Sequence, residues 1–245
     1  MGKVYIVGAG PGDPELITLK ALKLIKEADV ILYDRLVSPQ LLSYAKESAI
    51  KIYVGKEPGE SHKQQEINKM LVEFAKRGLT VVRLKNGDPM VFGRGAEECL
   101  YVAEHGICCE VVPGVSSFLA ASAVSGVPLT ARGYSSSFAV VTSHEDPAKG
   151  FRSVDLSRIA GAVDVVVVLM GASKAHEVLE EIGKIMGYDT HGVIAINVTL
   201  PGQTIIRGSL RDLIKMVREK SVERPAVIIV GKSAKLSEKL YSVCR

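Results

Sequence analysis

Leu79-Thr80-Val81-Val82-Arg83-Leu84 runs into Lys85-Asn86-Gly87-Asp88-Pro89-Met90-Val91-Phe92-Gly93-Arg94-Gly95, and that into Ala96-Glu97-Glu98-Cys99-Leu100-Tyr101-Val102-Ala103. The first part is β-branched and apolar and reads as a strand; the last is rich in helix formers. The middle is then the loop at the carboxyl end of a strand, where open α/β sheets hold their ligands. Gly87 and Gly95 let the backbone turn and come close to a ligand. Asp88 offers acceptors, and Pro89 stiffens the turn that follows. Taken alone the stretch also fits a tight connection with no ligand, so the rest of the chain has to decide.

Working outward, the same junction recurs. Lys3–Val7 is a strand that ends in Gly8-Ala9-Gly10-Pro11-Gly12-Asp13-Pro14. Beyond it Asp13 caps a helix with Pro14 at its first position, or the helix begins at Thr18. Leu19 to Ala28 has helical period, and Val30–Tyr33 is apolar throughout, as a strand buried in a parallel sheet should be. Asp34-Arg35 closes that strand, and a short helix follows Ser38-Pro39. Lys51–Val54 is a further strand, ending in Gly55-Lys56. Glu57 to Lys63 reads as surface loop, and Gln65 to Arg77 as a helix with Ile67, Met70, Leu71 and Phe74 at core spacing. Glu110-Val111-Val112 leads to Pro113-Gly114-Val115-Ser116-Ser117 and a small-residue helix to Val124. Three strand ends thus carry turns rich in glycine or hydroxyls, at 8–14, 86–95 and 113–117, and in a parallel sheet they cluster on one edge.

The composition changes at 127–137, a run rich in Pro, Gly and Ser, which sets an expected boundary between α/β domains 1–130 and 131–245. The second half is expected to hold strands at 138–142, 164–170, 193–198, 204–207 and 226–230 and helices at 174–186 and 210–219. Pro201-Gly202 makes 193–198 and 204–207 a hairpin.

Composition narrows the function classes. The chain has 245 residues, 31 Lys+Arg against 27 Asp+Glu, and no Trp. A net charge of +4 with no basic run argues against nucleic acid and is compatible with a small anionic ligand. Cys99, Cys108, Cys109 and Cys244 form no CxxC pair and the five histidines no HxxxH, so no metal is expected. With no leader peptide and no apolar run long enough to span a bilayer, the expected location is the cytoplasm, with free thiols.

Gly8-x-Gly10 after a strand, with Asp34 ending the next, suggests a dinucleotide site. Asp13 stands where that fingerprint needs Gly or Ala, however, and Pro11 removes a backbone N–H from the turn that should cradle pyrophosphate. No Walker A pattern occurs. An acid-bearing loop without a phosphate-binding Lys-Ser/Thr fits a nucleoside without phosphates better than a nucleotide.

Val7-Gly8-Ala9-Gly10-Pro11-Gly12-Asp13-Pro14, Tyr33-Asp34-Arg35-Leu36-Val37-Ser38, Val54-Gly55-Lys56, Gly87 to Gly95, Val112-Pro113-Gly114-Val115-Ser116-Ser117 and Pro128-Leu129-Thr130 together resemble the tetrapyrrole methylase superfamily. They occur in the family's order along the whole chain, more specifically in the first half than in the second. Within that superfamily the resemblance is to the branch acting on uroporphyrinogen III. It implies two α/β domains with an active-site cleft between them, S-adenosyl-L-methionine as methyl donor and S-adenosyl-L-homocysteine as product, and a homodimer. It implies methylation of uroporphyrinogen III at two ring carbons to give precorrin-2, which feeds siroheme and cobalamin. By the same resemblance the cofactor is held at Pro11, Gly87, Asp88, Val91, Ser116, Ser117, Met170 and a backbone position near Val198. Asn86 replaces the family's glycine before Gly87, which puts in doubt any contact there that needs positive φ.

Asp34 and Lys56 resemble the residues given proton-transfer roles in the family. A carboxylate can take the proton lost after methylation, and an ammonium can donate one or hold a substrate carboxylate. Two readings stand for each: Asp34 as base or as helix cap, Lys56 as acid or as surface lysine. Arg35, Arg94 and Arg132 are candidates for a substrate bearing many carboxylates, because guanidinium forks match carboxylates, or they are solvated. Met170 ends an apolar strand and reads equally as core packing. His62 reads as a surface residue. A methylase of a later precorrin, a nicotinamide oxidoreductase and a non-enzymatic sensor of S-adenosyl-L-methionine remain as rivals.

Overall fold

The computed structural model describes residues 2–55, 62–143 and 154–242. The chain divides into two compact units, Met1–Ser117 and Phe118–Arg245.

In the first unit, β1 (Lys3–Gly8), β2 (Val30–Tyr33), β3 (Ile50–Tyr53), β4 (Thr80–Lys85) and β5 (Cys109–Val112) form one sheet in the order β3-β2-β4-β1-β5. Every neighbouring pair is parallel. The connections are α1 (Leu19–Glu27), α2 (Pro39–Ser43), α3 (His62–Lys76) and α4 (Gly95–Glu104). Alternation along the strands splits the core in two. Val4, Ile6, Val30, Leu32 and Val81 pack under Ile67, Leu71 and Ala75 of α3 and Val102 of α4. Val7, Ile31, Val82 and Leu84 pack under Ala21, Leu24 and Ile25 of α1 and Leu41 of α2. Both faces are covered over the inner strands, which is why β2 reads as an apolar run, while the edge strand β3 stays largely exposed.

Both starts read for the first helix are used. Asp13 Oδ1 accepts from the Glu15 amide at 2.9 Å and caps a single 3-10 turn, Pro14–Leu16. Thr18 Oγ1 then accepts from the Ala21 amide at 3.2 Å and caps α1.

The second unit contains β6 (Phe138–Thr142), β7 (Val165–Leu169), β8 (His191–Ile196), β9 (Thr204–Ser209) and β10 (Ala226–Gly231), ordered β6-β7-β10-β8-β9. Only β6 and β7 are parallel; β8 and β9 form the expected hairpin. Helices α6 (Leu156–Ala162), α7 (Ala175–Met186) and α8 (Leu210–Glu219) bury Leu156, Leu179, Ile182 and Leu213 against Val166, Val168, Ile194 and Ile228. A last helix, α9, spans Leu236–Ser242.

The division falls earlier in the chain than the change of composition suggests. Helix α5 (Ser117–Ser125) and the segment after it are held by the second unit. The Ser125 carbonyl accepts from Arg207 Nη2 at 3.2 Å and Ser237 Oγ at 2.5 Å, and the Pro128 carbonyl accepts from Ser233 Oγ at 2.6 Å. The run at 127–137 is rich in turn residues because it bends within that unit, as in the tight Ala131–Ser135 bridge.

One expectation is corrected outright. Cys99 of α4 and Cys109 of β5 form a disulfide, with Cα atoms 5.6 Å apart, so not all the cysteines are free thiols. Their spacing in sequence gave no sign of it, because the pairing depends on α4 packing back beside β5. Cys108 is free and exposed.

Candidate active site

The strand order puts the loops after β1 and β4 side by side. From β1 the chain crosses toward β2, and from β4 it crosses the other way, toward β5. Their carboxyl ends flank the point where the winding reverses, which is where an open sheet leaves a crevice. Here the loops join through their backbones: Gly87 N donates to the Gly10 carbonyl at 2.7 Å, and Gly10 N to the Gly87 carbonyl at 3.3 Å.

A third loop closes on these two. A Cβ on Gly8 would lie 2.6 Å from Gly114 N and 2.7 Å from the Gly87 carbonyl oxygen; one on Gly114 would lie 2.3 Å from that same oxygen. The bends after β1, β4 and β5 therefore touch backbone to backbone, a contact that only residues without side chains allow. Asp88 fastens the junction. Its Oδ2 accepts from the Gly114 amide at 3.0 Å, and its Oδ1 from the Met90 amide at 2.8 Å. Gly87 has φ +67, and the open side of its Cα faces Ser116 and Ser117, with Ser117 N 3.7 Å from the position of a Cβ. Gly87, Asp88, Ser116 and Ser117 are thus neighbours, and Pro11 follows Gly10 in the bend bonded to them. Val91 lies in the same loop, half-buried.

Asn86 is not among the residues with positive φ; the left-handed position is Gly87. The substitution noted in the sequence costs the loop no strain. Asn86 Oδ1 is buried and has no hydrogen-bond partner among the described residues. An unanswered acceptor beside a glycine junction suits a small ligand that carries N–H groups.

Five non-glycine residues among those described have positive φ: Phe92, Arg94, Met170, Asn197 and Thr199. Phe92 and Arg94 lie in the central loop, Met170 ends β7, and Asn197 and Thr199 flank Val198. Every one sits at or next to a position singled out in the sequence. Such backbone conformations are costly and concentrate where a fold holds a site. Met170 is exposed, so it is not core packing, while Val198 is buried.

Asp34 follows β2 on the face that carries α3 and α4. Sequence reading missed what stands behind it. On β4, Val81, Arg83 and Lys85 share that face, and the side chains of Arg83 and Glu98 are 1% and 0% exposed, against 28% for Asp34. Arg83 Nη2 lies 2.5 Å from Asp34 Oδ1, and Arg83 Nε lies 3.3 Å from Glu98 Oε1. Lys85 Nζ lies 2.9 Å from Glu98 Oε1 and 4.0 Å from Asp34 Oδ2. Gln64 Nε2 of α3 donates to the same Glu98 oxygen at 3.0 Å. Burial opposes the charge on Glu98, but Arg83 and Lys85 outweigh it and hold the carboxyl below the usual carboxylate range. Burial pulls Lys85 below the ordinary lysine value, and Arg83 beside it adds to the effect. The available signal was Arg83 and Lys85 at alternate positions in an apolar strand.

The remaining residues are placed as follows. Arg94 pairs with Glu97 through Nη2 at 2.6 Å, at the start of α4. Arg35 is exposed at the tip of β2, and Arg132 is exposed in the 131–135 turn of the second unit. Lys56 lies outside the described residues, and of His62 only its place at the start of α3 is described. Among the described residues no group of His, Cys, Asp and Glu could hold a metal ion, and no helix is long and apolar enough to cross a membrane.

The family model of the tetrapyrrole (corrin/porphyrin) methylases matches residues 3–214. The chain belongs to the tetrapyrrole methylases. This methylase is 48% identical over 233 residues to the uroporphyrinogen-III C-methyltransferase of Methanocaldococcus jannaschii, covering 94% of this chain and 96% of that one. Among solved structures, uroporphyrin-III C-methyl transferase from Thermus thermophilus, complexed with S-adenyl homocysteine, superposes with a TM-score of 0.81. It is 41% identical, and the match covers 96% of this methylase and all of that chain. A cobalt precorrin-4 methyltransferase superposes with a TM-score of 0.84 at 30% identity, covering 95% of each chain. The fold is therefore common to methylases of different tetrapyrroles, and the substrate has to be argued from sequence closeness and the site.

Proposed function

We propose that this methylase is a uroporphyrinogen-III C-methyltransferase. It transfers methyl groups from S-adenosyl-L-methionine to two ring carbons of uroporphyrinogen III and yields precorrin-2. The observation that carries the reading is 48% identity with a uroporphyrinogen-III C-methyltransferase along nearly the full length of both chains.

S-adenosyl-L-methionine supplies a methyl group on an electrophilic sulfonium. The chain's task is then alignment and relief of charge. In this reading the backbone at Pro11, Gly87 and Val91, the Asn86 amide and the hydroxyls of Ser116 and Ser117 hold the donor, and Asp88 keeps their three loops in register. The family resemblance adds Met170 and the backbone at Val198 to the groups proposed for the donor. When the pyrrole carbon becomes quaternary, the macrocycle carries a positive charge that is lost with a proton. Asp34 takes that proton, and Lys56 donates one or holds a substrate carboxylate. Arg35, Arg94 and Arg132 bind the carboxylates that ring the substrate. The working form is a cytoplasmic homodimer.

A second reading, a methylase of a later precorrin, is favoured by the TM-score of 0.84 with the cobalt precorrin-4 enzyme. The experiment separates them. Under anaerobic conditions with labelled S-adenosyl-L-methionine, uroporphyrinogen III should gain two methyl groups by mass. Label transfer to a later precorrin but none to uroporphyrinogen III would replace the first reading with the second.

A further inference from the structure

We propose that Arg83, clamped from behind by Glu98, is a positioning residue that fixes the Asp34 carboxylate for its proton transfer. The inference rests on the role given to Asp34 above and adds the device that makes that role work.

The geometry is that of a bracket. Arg83 Nη2 takes Asp34 Oδ1 at 2.5 Å, while Oδ2 stands 4.0 Å from Lys85 Nζ, beyond hydrogen-bond reach. One carboxylate oxygen is therefore anchored and the other left for a proton. The guanidinium cannot turn away, because its remaining donors meet Glu98 Oε1 at 3.3 Å and the Leu32 and Leu84 carbonyls at 3.4 and 3.3 Å. Glu98 is held in turn by Lys85 and by Gln64, whose amide also reaches Asn68 Oδ1 at 2.9 Å. The chain of contacts leads from the interior to a single partly exposed group, Asp34.

Charge balance points the same way. Arg83 and Lys85 are two cations, and Glu98 supplies one anion. Asp34 is the second carboxylate of the cluster and the one that reaches the surface, 28% exposed against 0% for Glu98. An apolar residue at 83 would continue the layer formed by Val4, Ile6 and Val81, and buried ion clusters seldom make a fold more stable than well-packed apolar side chains would. The cluster's position behind Asp34, at the carboxyl ends of β2 and β4, gives it a use that core packing does not.

The test is a cycle of Arg83→Met, Asp34→Asn and the double variant, with Arg83→Lys as the conservative partner and Glu98→Gln as an isosteric one. Each is read by turnover on uroporphyrinogen III, by S-adenosyl-L-homocysteine calorimetry and by thermal melting. Arg83→Met should lose about a hundredfold in kcat, the cost of a reacting group misplaced by about 1 Å, with cofactor affinity within about twofold of wild type. Arg83→Lys should recover part of the loss, and the double variant should be no slower than Asp34→Asn. If Arg83→Met does not melt cooperatively, Arg83→Lys and Glu98→Gln are crossed with Asp34→Asn and judged by the same non-additivity. Losses that multiply in the double variant would overturn the proposal, as would wild-type turnover in Arg83→Met beside an inactive Asp34→Asn. Wild-type turnover in Asp34→Asn would instead remove Asp34 from the mechanism, and the positioning role with it.

Discussion

Replacing Gly114 by alanine puts the glycine junction to a quantitative test. The new methyl would sit 2.3 Å from the Gly87 carbonyl oxygen and 2.9 Å from Gly8 Cα. A carbon meets a carbonyl oxygen at about 3.3 Å or more, so a loop must retreat by about 1 Å. The obstacle is backbone on both sides, which cannot swing aside as the end of a flexible side chain can. The penalty therefore belongs at the upper end of overpacking costs, about 3 kcal/mol. For a chain of this size that lowers the melting temperature by roughly 6–12 °C. Gly106→Ala is the control. Gly106 has φ +72 with nothing within 4 Å of its missing Cβ, so alanine there meets only left-handed strain. That strain is about 1 kcal/mol, or roughly 2–4 °C. The assays are differential scanning fluorimetry and calorimetric titration with S-adenosyl-L-homocysteine. Gly114→Ala should weaken binding at least tenfold, about 1.4 kcal/mol, because the loops proposed to hold the ligand have moved. Gly106→Ala should leave affinity unchanged. A Gly114→Ala protein that melts within about 2 °C of wild type and binds equally well would show that the three bends do not touch as described.

Two more outcomes concern parts of the molecule remote from the chemistry. Hydrogen bonds from Lys20 and Lys3 hold the Glu110 carboxyl down at about 2, against an ordinary 4.5. A group depressed in the folded state stabilises above its unfolded value and loses that contribution as pH falls through the folded one. The Glu110 contribution should thus be complete above about pH 4.5 and fade toward pH 2. Carbon-detected NMR titration should place the midpoint near 2, and Lys20→Met should move it up; a wild-type midpoint near 4.5 would remove the interaction. For the disulfide, a peptide map made without reductant should recover the Cys99 and Cys109 peptides joined. Replacing both by serine should cost roughly 2–3 kcal/mol of stability, as expected for so short a closed loop. Recovery of the two peptides unjoined would refute the pairing.

What could be read from sequence follows from how each feature is encoded. The inner parallel strands of the first unit, such as β2, were legible because burial on both faces makes them apolar runs, and the ends of β1, β3, β4 and β5 because glycines mark those bends. The β8–β9 hairpin was legible through Pro201-Gly202. Helix α6 was not, because Leu156–Ala162 is too short to establish a helical period. The arrangement behind Asp34 was out of reach for another reason. Arg83 and Glu98 are fifteen residues apart on different elements and meet only when α4 packs on the same face of the sheet. The disulfide has the same character. The local code records strand, bend and helix, whereas ion pairs and cross-links depend on how those pieces stack.

The glycine junction also limits how this methylase can be altered. Because the turns after β1, β4 and β5 share one close contact, a residue added or enlarged in any of them has to be answered in the other two at once. That couples three separate parts of the chain into a single mechanical unit. Substitutions in this region are therefore best directed at an exposed side chain such as Met90, 59% exposed, which can change without disturbing that contact.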